Sequence, residues 1–267
     1  MSKKTRKYIC FLFLGLSILT FIPLLIPDND KYDFKAIGDE AYNPNLYFLN
    51  SINKVIHYSD SLYNEKHIGS LDTTVYVGIV SDLIKQRFRF GLSHYNLSEN
   101  WIAYLSGKYL WFHLSAIVNP DDIIQRATGL CSQQTIVFME VLKDKGINVR
   151  SIGLGKKEGP GHFLCEVHYN NSWRLHDVTK EPQWRKITKH HESINYYLNY
   201  KDSLFRVYEY RMPKKEFDII IKQVSYGKVN DFPAKKMLLF HRVTRTATYI
   251  IPFIFLALFF TFSKKLD

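Results

Sequence analysis

Three side chains of this sequence could share one piece of chemistry: the thiol of Cys131, the imidazole of His162 and the carboxylate of Asp177. Cys131 follows Gly129-Leu130 and opens a segment, 131–145, in which Thr135, Phe138, Val141 and Leu142 recur on one helical stripe before Gly146 supplies a stop. A thiol at a helix start meets backbone N–H groups that lack intrahelical acceptors, and it meets the positive end of the helix dipole. Both lower its pKa and favour the nucleophilic thiolate. The same N–H groups can hold the oxyanion of a tetrahedral intermediate, and Gly129 lets backbone and substrate approach closely. Taken alone, a cysteine is more often a small buried apolar residue. Its partners decide the reading.

Those partners lie on a hairpin. The runs 148–154, 162–169 and 173–179 have the composition of strands, and Asn170-Asn171 tolerates the positive φ of a two-residue turn. If Tyr169 faces Ser172, then Leu164 faces Asp177 and His162 faces Thr179. Side chains two apart share a strand face, so His162 and Asp177 project from one face as diagonal neighbours. A carboxylate there orients the imidazole and stabilises its cation. His162 is then the base that activates the thiol and the acid that protonates the leaving group. The same parity sends Cys165 to the opposite face with His176, which makes it a poor nucleophile and a poor disulfide partner for Cys131. His168 shares the His162 face but sits near the turn and reads as structural. The preceding Gly159-Pro160-Gly161 opens a path for substrate.

The order of these motifs is specific. Gly129-Leu130-Cys131 at a helix start, Gly146-Ile147-x-x-Arg150 leading into the sheet, a His162 strand and a Trp173-x-x-x-Asp177 strand together resemble the core of the transglutaminase-like family, a papain-related fold. The resemblance covers about residues 120–180. It implies Cys131 as nucleophile, His162 as base and Asp177 as its orienter, with Gly146, Ile147, Arg150 and Trp173 as framework. Gln134 and Thr135 stand where members of that family often carry Tyr or Ala. An upstream side chain often supports the oxyanion in that family; Trp101, Trp111 and Gln125 are the candidates here, none favoured.

The elements around this core fit an α+β chain: a helix with an N-terminal cysteine packed on an antiparallel sheet, a helical N-terminal region and two transmembrane helices. Residues 8–26 and 247–263 are uncharged runs of 19 and 17 residues, near the ~20 needed to cross a bilayer. The first has no A-x-A-like cleavage site, which favours an uncleaved anchor over a signal peptide. Lys3, Lys4, Arg6 and Lys7 precede it while Asp28, Asp30 and Asp33 follow, so the positive-inside rule puts both termini in the cytoplasm and residues 28–246 outside. Arg242 and Arg245 oppose that rule. The segments expected are 1–27, a cytoplasmic tail and first span; 28–120, mostly helical and extracytoplasmic; 121–246, the core and a membrane-proximal segment; and 247–267, the second span and tail. Within them, 77–92 and 100–118 look most helical, Asn119-Pro120-Asp121-Asp122 reads as a turn into a helix, and 201–246 completes the domain and lies along the membrane surface.

Composition narrows the function classes. The net charge of +11 largely flanks the apolar runs and comes with no nucleic-acid-binding motif. Three cysteines are too few for a disulfide framework. His162, His168, His176, His190 and His191 match no zinc spacing, and no phosphate loop or dinucleotide fingerprint occurs, so neither metal nor cofactor is expected. The expected function is a membrane-anchored cysteine enzyme, a hydrolase or acyltransferase forming a thioester at Cys131 on an amide or ester of a protein, peptide or cell-envelope substrate. The alternative is a non-catalytic binding or assembly module of the same fold in a cell-envelope or polysaccharide system.

Overall fold

The computed structural model describes residues 2–27, 41–65, 70–155, 161–179, 191–209 and 213–264. Asp28, Asp30, Asp33, His190 and the Gly159-Pro160 part of the proposed substrate path lie outside them. In chain order the described helices are α1 (Lys3–Phe21), α2 (Ile52–Asn64), α3 (Thr73–Arg87), α4 (Leu97–Tyr109), α5 (Pro120–Ile123), α6 (Cys131–Asp144), α7 (Ile194–Asn199), α8 (Lys201–Tyr208), α9 (Lys214–Ile220) and α10 (Lys235–Ser263). The strands are β1 (Arg89–Phe90), β2 (Thr128–Gly129), β3 (Val149–Gly155), β4 (Gly161–Tyr169), β5 (Ser172–His176) and β6 (Val224–Tyr226).

The chain forms two compact units, whose segments alternate along the sequence. One comprises 34–93 and 118–233; the other comprises 1–33, 94–117 and 234–267. Residues 94–117 therefore group with the terminal helices rather than with the remainder of the 28–120 segment. The second apolar run is also longer than its uncharged part, because α10 continues unbroken back to Lys235. Residues 235–246 are thus the first turns of that helix and not a separate surface segment.

The first unit is a sheet of order β5-β4-β3-β6, antiparallel throughout, with helices on both faces. Ile152, Leu154, Leu164 and Leu175 pack against Ile194, Tyr197, Leu204, Val207, Tyr208, Phe217 and Ile221 of the 194–221 helices. α6 packs on β4 and β3. Its stripe is buried as its spacing predicts, with Thr135, Phe138, Val141 and Leu142 all at 0% exposure. It ends at Gly146, whose φ of +74° places it in the left-handed region that glycine adopts without cost. The Gly146 and Ile147 N–H groups donate back to Lys143 and Leu142, closing a Schellman motif.

Arg87, at the end of α3, explains how the N-terminal helices hold the cysteine turn. It is fully buried and its guanidinium donates to the carbonyls of Leu49, Ile124 and Arg126. Immediately after it, β1 pairs in parallel with β2, the strand that leads into Leu130 and Cys131.

The second unit is built on α1 and α10, each long and apolar enough to cross a membrane. They run antiparallel: Phe21 meets Phe253 and Phe13 meets Phe262, and Ser17 Oγ donates to the Pro252 carbonyl at 2.9 Å. α4 packs on α10 through Asn100, which breaks the helix locally with φ −161° and ψ 77°. Its amide donates to Thr244 Oγ1 at 2.9 Å and accepts from Thr248 Oγ1 at 3.3 Å, so a buried amide finds two partners about one helical turn apart on α10.

Candidate active site

The geometry of the site follows from where β5 stops. The hairpin has the predicted register, with Tyr169 opposite Ser172 and Cys165 opposite His176. Asn170 and Asn171 both hold positive φ, 50° and 57°. In such a ladder Tyr169 and every second residue back along β4 direct both backbone groups toward β5. Phe163 is one of these residues. β5 ends at His176, so the expected pairs Leu164–Asp177 and His162–Thr179 do not form, and the β4 edge at Phe163 has no strand beside it. α6 occupies that edge instead. Thr135 Oγ1 donates to the Phe163 carbonyl at 3.3 Å, and the Phe163 N–H donates to the Cys131 sulfur.

This docking brings the three predicted side chains together. Cys131 is hydrogen-bonded to the His162 ring, and His162 Nε2 lies 2.5 Å from Asp177 Oδ2. With Nε2 engaged by the carboxylate, Nδ1 is the nitrogen left for the thiol. Burial pushes the Cys131 thiol up, but the hydrogen bond and charge of His162, with the Phe163 N–H, outweigh it and hold the thiol below its ordinary value. Burial pulls His162 down, while the charge and hydrogen bond of Asp177, aided by Cys131, raise it to about 10. Both shifts point to a thiolate facing an imidazolium.

Asp177 is fully buried and every oxygen is used. Oδ2 accepts from His162 and also from Tyr208 Oη at 2.8 Å. Oδ1 accepts from the Thr179 N–H at 3.1 Å and its hydroxyl at 2.6 Å. Thr179 is in turn pinned by Lys85 Nζ, 2.6 Å from its carbonyl. Tyr208 also sets the His162 ring, edge-on at 5.7 Å and 80°. Burial raises the Tyr208 phenol well above its ordinary value, so it stays a donor. Sequence reasoning missed Tyr208, Thr179 and Lys85. Tyr208 is one of 18 tyrosines and stands 31 residues from Asp177, so no local pattern marks it.

The turn before Cys131 is held by Gln133 rather than left open. Its amide accepts from the Leu130 and Ser93 N–H groups at 3.1 and 2.9 Å and donates to the Ser93 carbonyl at 2.7 Å. What approaches Gly129 is Gln134 and Phe88: a Cβ at Gly129 would lie 3.1 and 3.3 Å from them. Of the upstream oxyanion candidates, Gln125 is exposed and donates to the Asp121 carbonyl at 2.9 Å, and Trp101 and Trp111 belong to the other unit. Cys165 faces away, buried and free, its thiol pushed up by burial and 3.9 Å from the His176 carbonyl. His168 stacks edge-on against Trp173 at 5.2 Å. The framework residues cohere. Arg150 forms two hydrogen bonds to Glu166 Oε2, at 2.8 and 2.6 Å, beneath the Trp173 ring at 4.4 Å. The other Glu166 oxygen caps α7 through the Ile194 N–H at 2.7 Å.

No family model matches the chain, and neither a curated protein nor a solved structure is found similar to it. The functional reading therefore stands on the site itself.

Tyr208→Phe removes a hydrogen bond to a charged group, so unfolding is expected about 1.5–3 kcal/mol easier. His162 is then held less firmly as a cation, and the pH at which Cys131 becomes alkylatable moves up. An unchanged alkylation profile in a folded variant refutes the positioning role.

Proposed function

We propose that the chain is a cysteine enzyme of the transglutaminase-like, papain-related type, acting on an amide or ester carbonyl through a thioester on Cys131. The observation that carries this reading is the continuous chain Cys131–His162–Asp177, with the thiol lowered and the imidazole raised. A buried structural cysteine needs neither an imidazolium nor a carboxylate behind it; Cys165, raised by burial, shows what such a residue looks like in the same sheet.

The step is balanced by the residues present. The Cys131 thiolate attacks the carbonyl carbon, and N–H groups at the start of α6 face the developing oxyanion. The carbon–nitrogen bond of the substrate then breaks, and the His162 imidazolium gives its proton to the departing amine or ammonia. Water or a second amine enters; His162 takes its proton as the sulfur leaves, and the thiolate–imidazolium pair is restored. Asp177 holds the ring through both transfers without itself exchanging a proton. Water makes the protein a hydrolase and an amine makes it an acyltransferase, acting on a protein, peptide or cell-envelope substrate.

We also infer that α1 and α10 cross the cell membrane as two spans, with both termini in the cytoplasm and the site outside. Antiparallel packing brings Lys3, Lys4, Arg6 and Lys7 to the same end of the pair as Lys264, as the positive-inside rule requires for cytoplasmic tails.

Three measurements test these readings. Alkylation of Cys131 by iodoacetamide is expected to rise with an inflection below the ordinary thiol value of about 8.5. In His162→Gln, burial acts without the imidazolium, so the inflection moves above that value; an identical profile in the two proteins sinks the ion pair. Incubated in detergent with a glutaminyl peptide, the protein is expected to release ammonia and yield a glutamate or, with added amine, an amide-linked product. Cys131→Ala yields neither, and equal product from both proteins rules out the thioester. In intact cells, with Cys131→Ala as background so that the reactive thiol is absent, a membrane-impermeant maleimide should label Asn53→Cys but not Lys4→Cys; the reverse pattern inverts the topology.

A further inference from the structure

At the lysine-bearing ends of the helix pair, α1 and α10 leave a cleft of about 550 Å³. Its character is graded along one face of α1. Lys3, Lys4 and Lys7 stand at the mouth; Cys10, Phe11 and Leu14 continue on the same stripe, and Phe259 faces them from α10. Positions 3, 4, 7, 10, 11 and 14 are the i, i+1, i+4, i+7, i+8, i+11 set that keeps to a single helical face. From Lys3 to Leu14 the stripe rises about 16 Å at 1.5 Å per residue, close to half of a ~30 Å hydrocarbon core. Neither α1 nor α10 contains an acidic residue, so no carboxylate on these helices neutralises the lysines. Phe13, on the other side of α1, stacks with Phe255 and Phe262 and holds the two helices together behind the cleft.

We propose that this cleft binds one anionic phospholipid. Its phosphate sits among Lys3, Lys4 and Lys7, and one acyl chain lies along Phe11, Leu14 and Phe259. Apolar walls of one leaflet's depth select a chain, and three clustered ammonium groups select a negative headgroup over a zwitterionic one. Buried Cys10, at 4% exposure, lies on the stripe at the boundary between the two regions. This inference rests on the reading of α1 and α10 as membrane spans and is independent of the chemistry at Cys131.

Native mass spectrometry of the full chain in detergent tests it, with phosphatidylglycerol and phosphatidylcholine of identical acyl chains supplied in equal amounts. One phosphatidylglycerol is expected to be retained over phosphatidylcholine roughly tenfold or more. The preference should vanish in Lys3→Gln/Lys4→Gln/Lys7→Gln and survive in Lys215→Gln/Lys222→Gln/Lys228→Gln, which carries the same charge change away from the cleft. Leu14→Trp keeps the lysines but fills the cleft, and it too should lose the lipid. Equal retention of the two lipids, a preference that survives both cleft variants, or displacement of the lipid by millimolar inorganic phosphate overturns the proposal. A chain that stays soluble without detergent would instead refute the membrane reading on which it rests.

Discussion

A carboxylate that is wholly removed from water must have its charge met by donors, because an unpaired buried ion costs several kcal/mol. Asp177 is such a carboxylate, and the site can be derived from that requirement. Thr179 closes a turn onto Oδ1, which requires the chain to leave the strand direction after His176. α8 must present Tyr208 to Oδ2, which ties the 194–221 helices to the sheet at this point. The remaining donor is His162, and a ring held against a buried anion favours its protonated form. That cation in turn draws the Cys131 thiol toward thiolate.

Ending β5 early has a second consequence. It bares the β4 edge at Phe163, and the tip of α6 uses both backbone groups of that residue, one for Thr135 and one for the sulfur. Nucleophile and base thus come from different layers and are registered against each other by main-chain atoms, which move less than side chains. Glu166, three residues along β4 from Phe163, shows the same economy: a fully buried carboxylate divides its oxygens between Arg150 and the first turn of α7.

The unit built on α1 and α10 solves a different problem. Pro252 sits inside α10 and Asn100 interrupts α4, and each irregularity is matched by a polar side chain from a neighbouring helix. Ser17 meets the first and Thr244 with Thr248 the second. Polar atoms that would be costly in an apolar setting become the points at which these helices are registered.

Much of this was legible in the residues themselves, because it depends on local periodicity. The stripe of α6, its Gly146 stop, the Asn170-Asn171 turn and the hairpin register all follow from rules that act within a few residues. Parity put Cys165 on the face opposite His162, but it placed Asp177 through a Leu164–Asp177 pair that does not form; the turn after His176 brings that carboxylate to the ring instead. The two apolar runs were equally plain, although α10 reaches back to Lys235 because its charged turns are helical as well. Tertiary structure decided the rest. The end of β5, the capture of Phe163 by α6, and the gathering of Tyr208, Thr179 and Lys85 around one carboxylate join residues up to 94 apart in sequence. Contacts of that range leave no periodic trace, since each is set by how layers pack rather than by the spacing of neighbours along the chain.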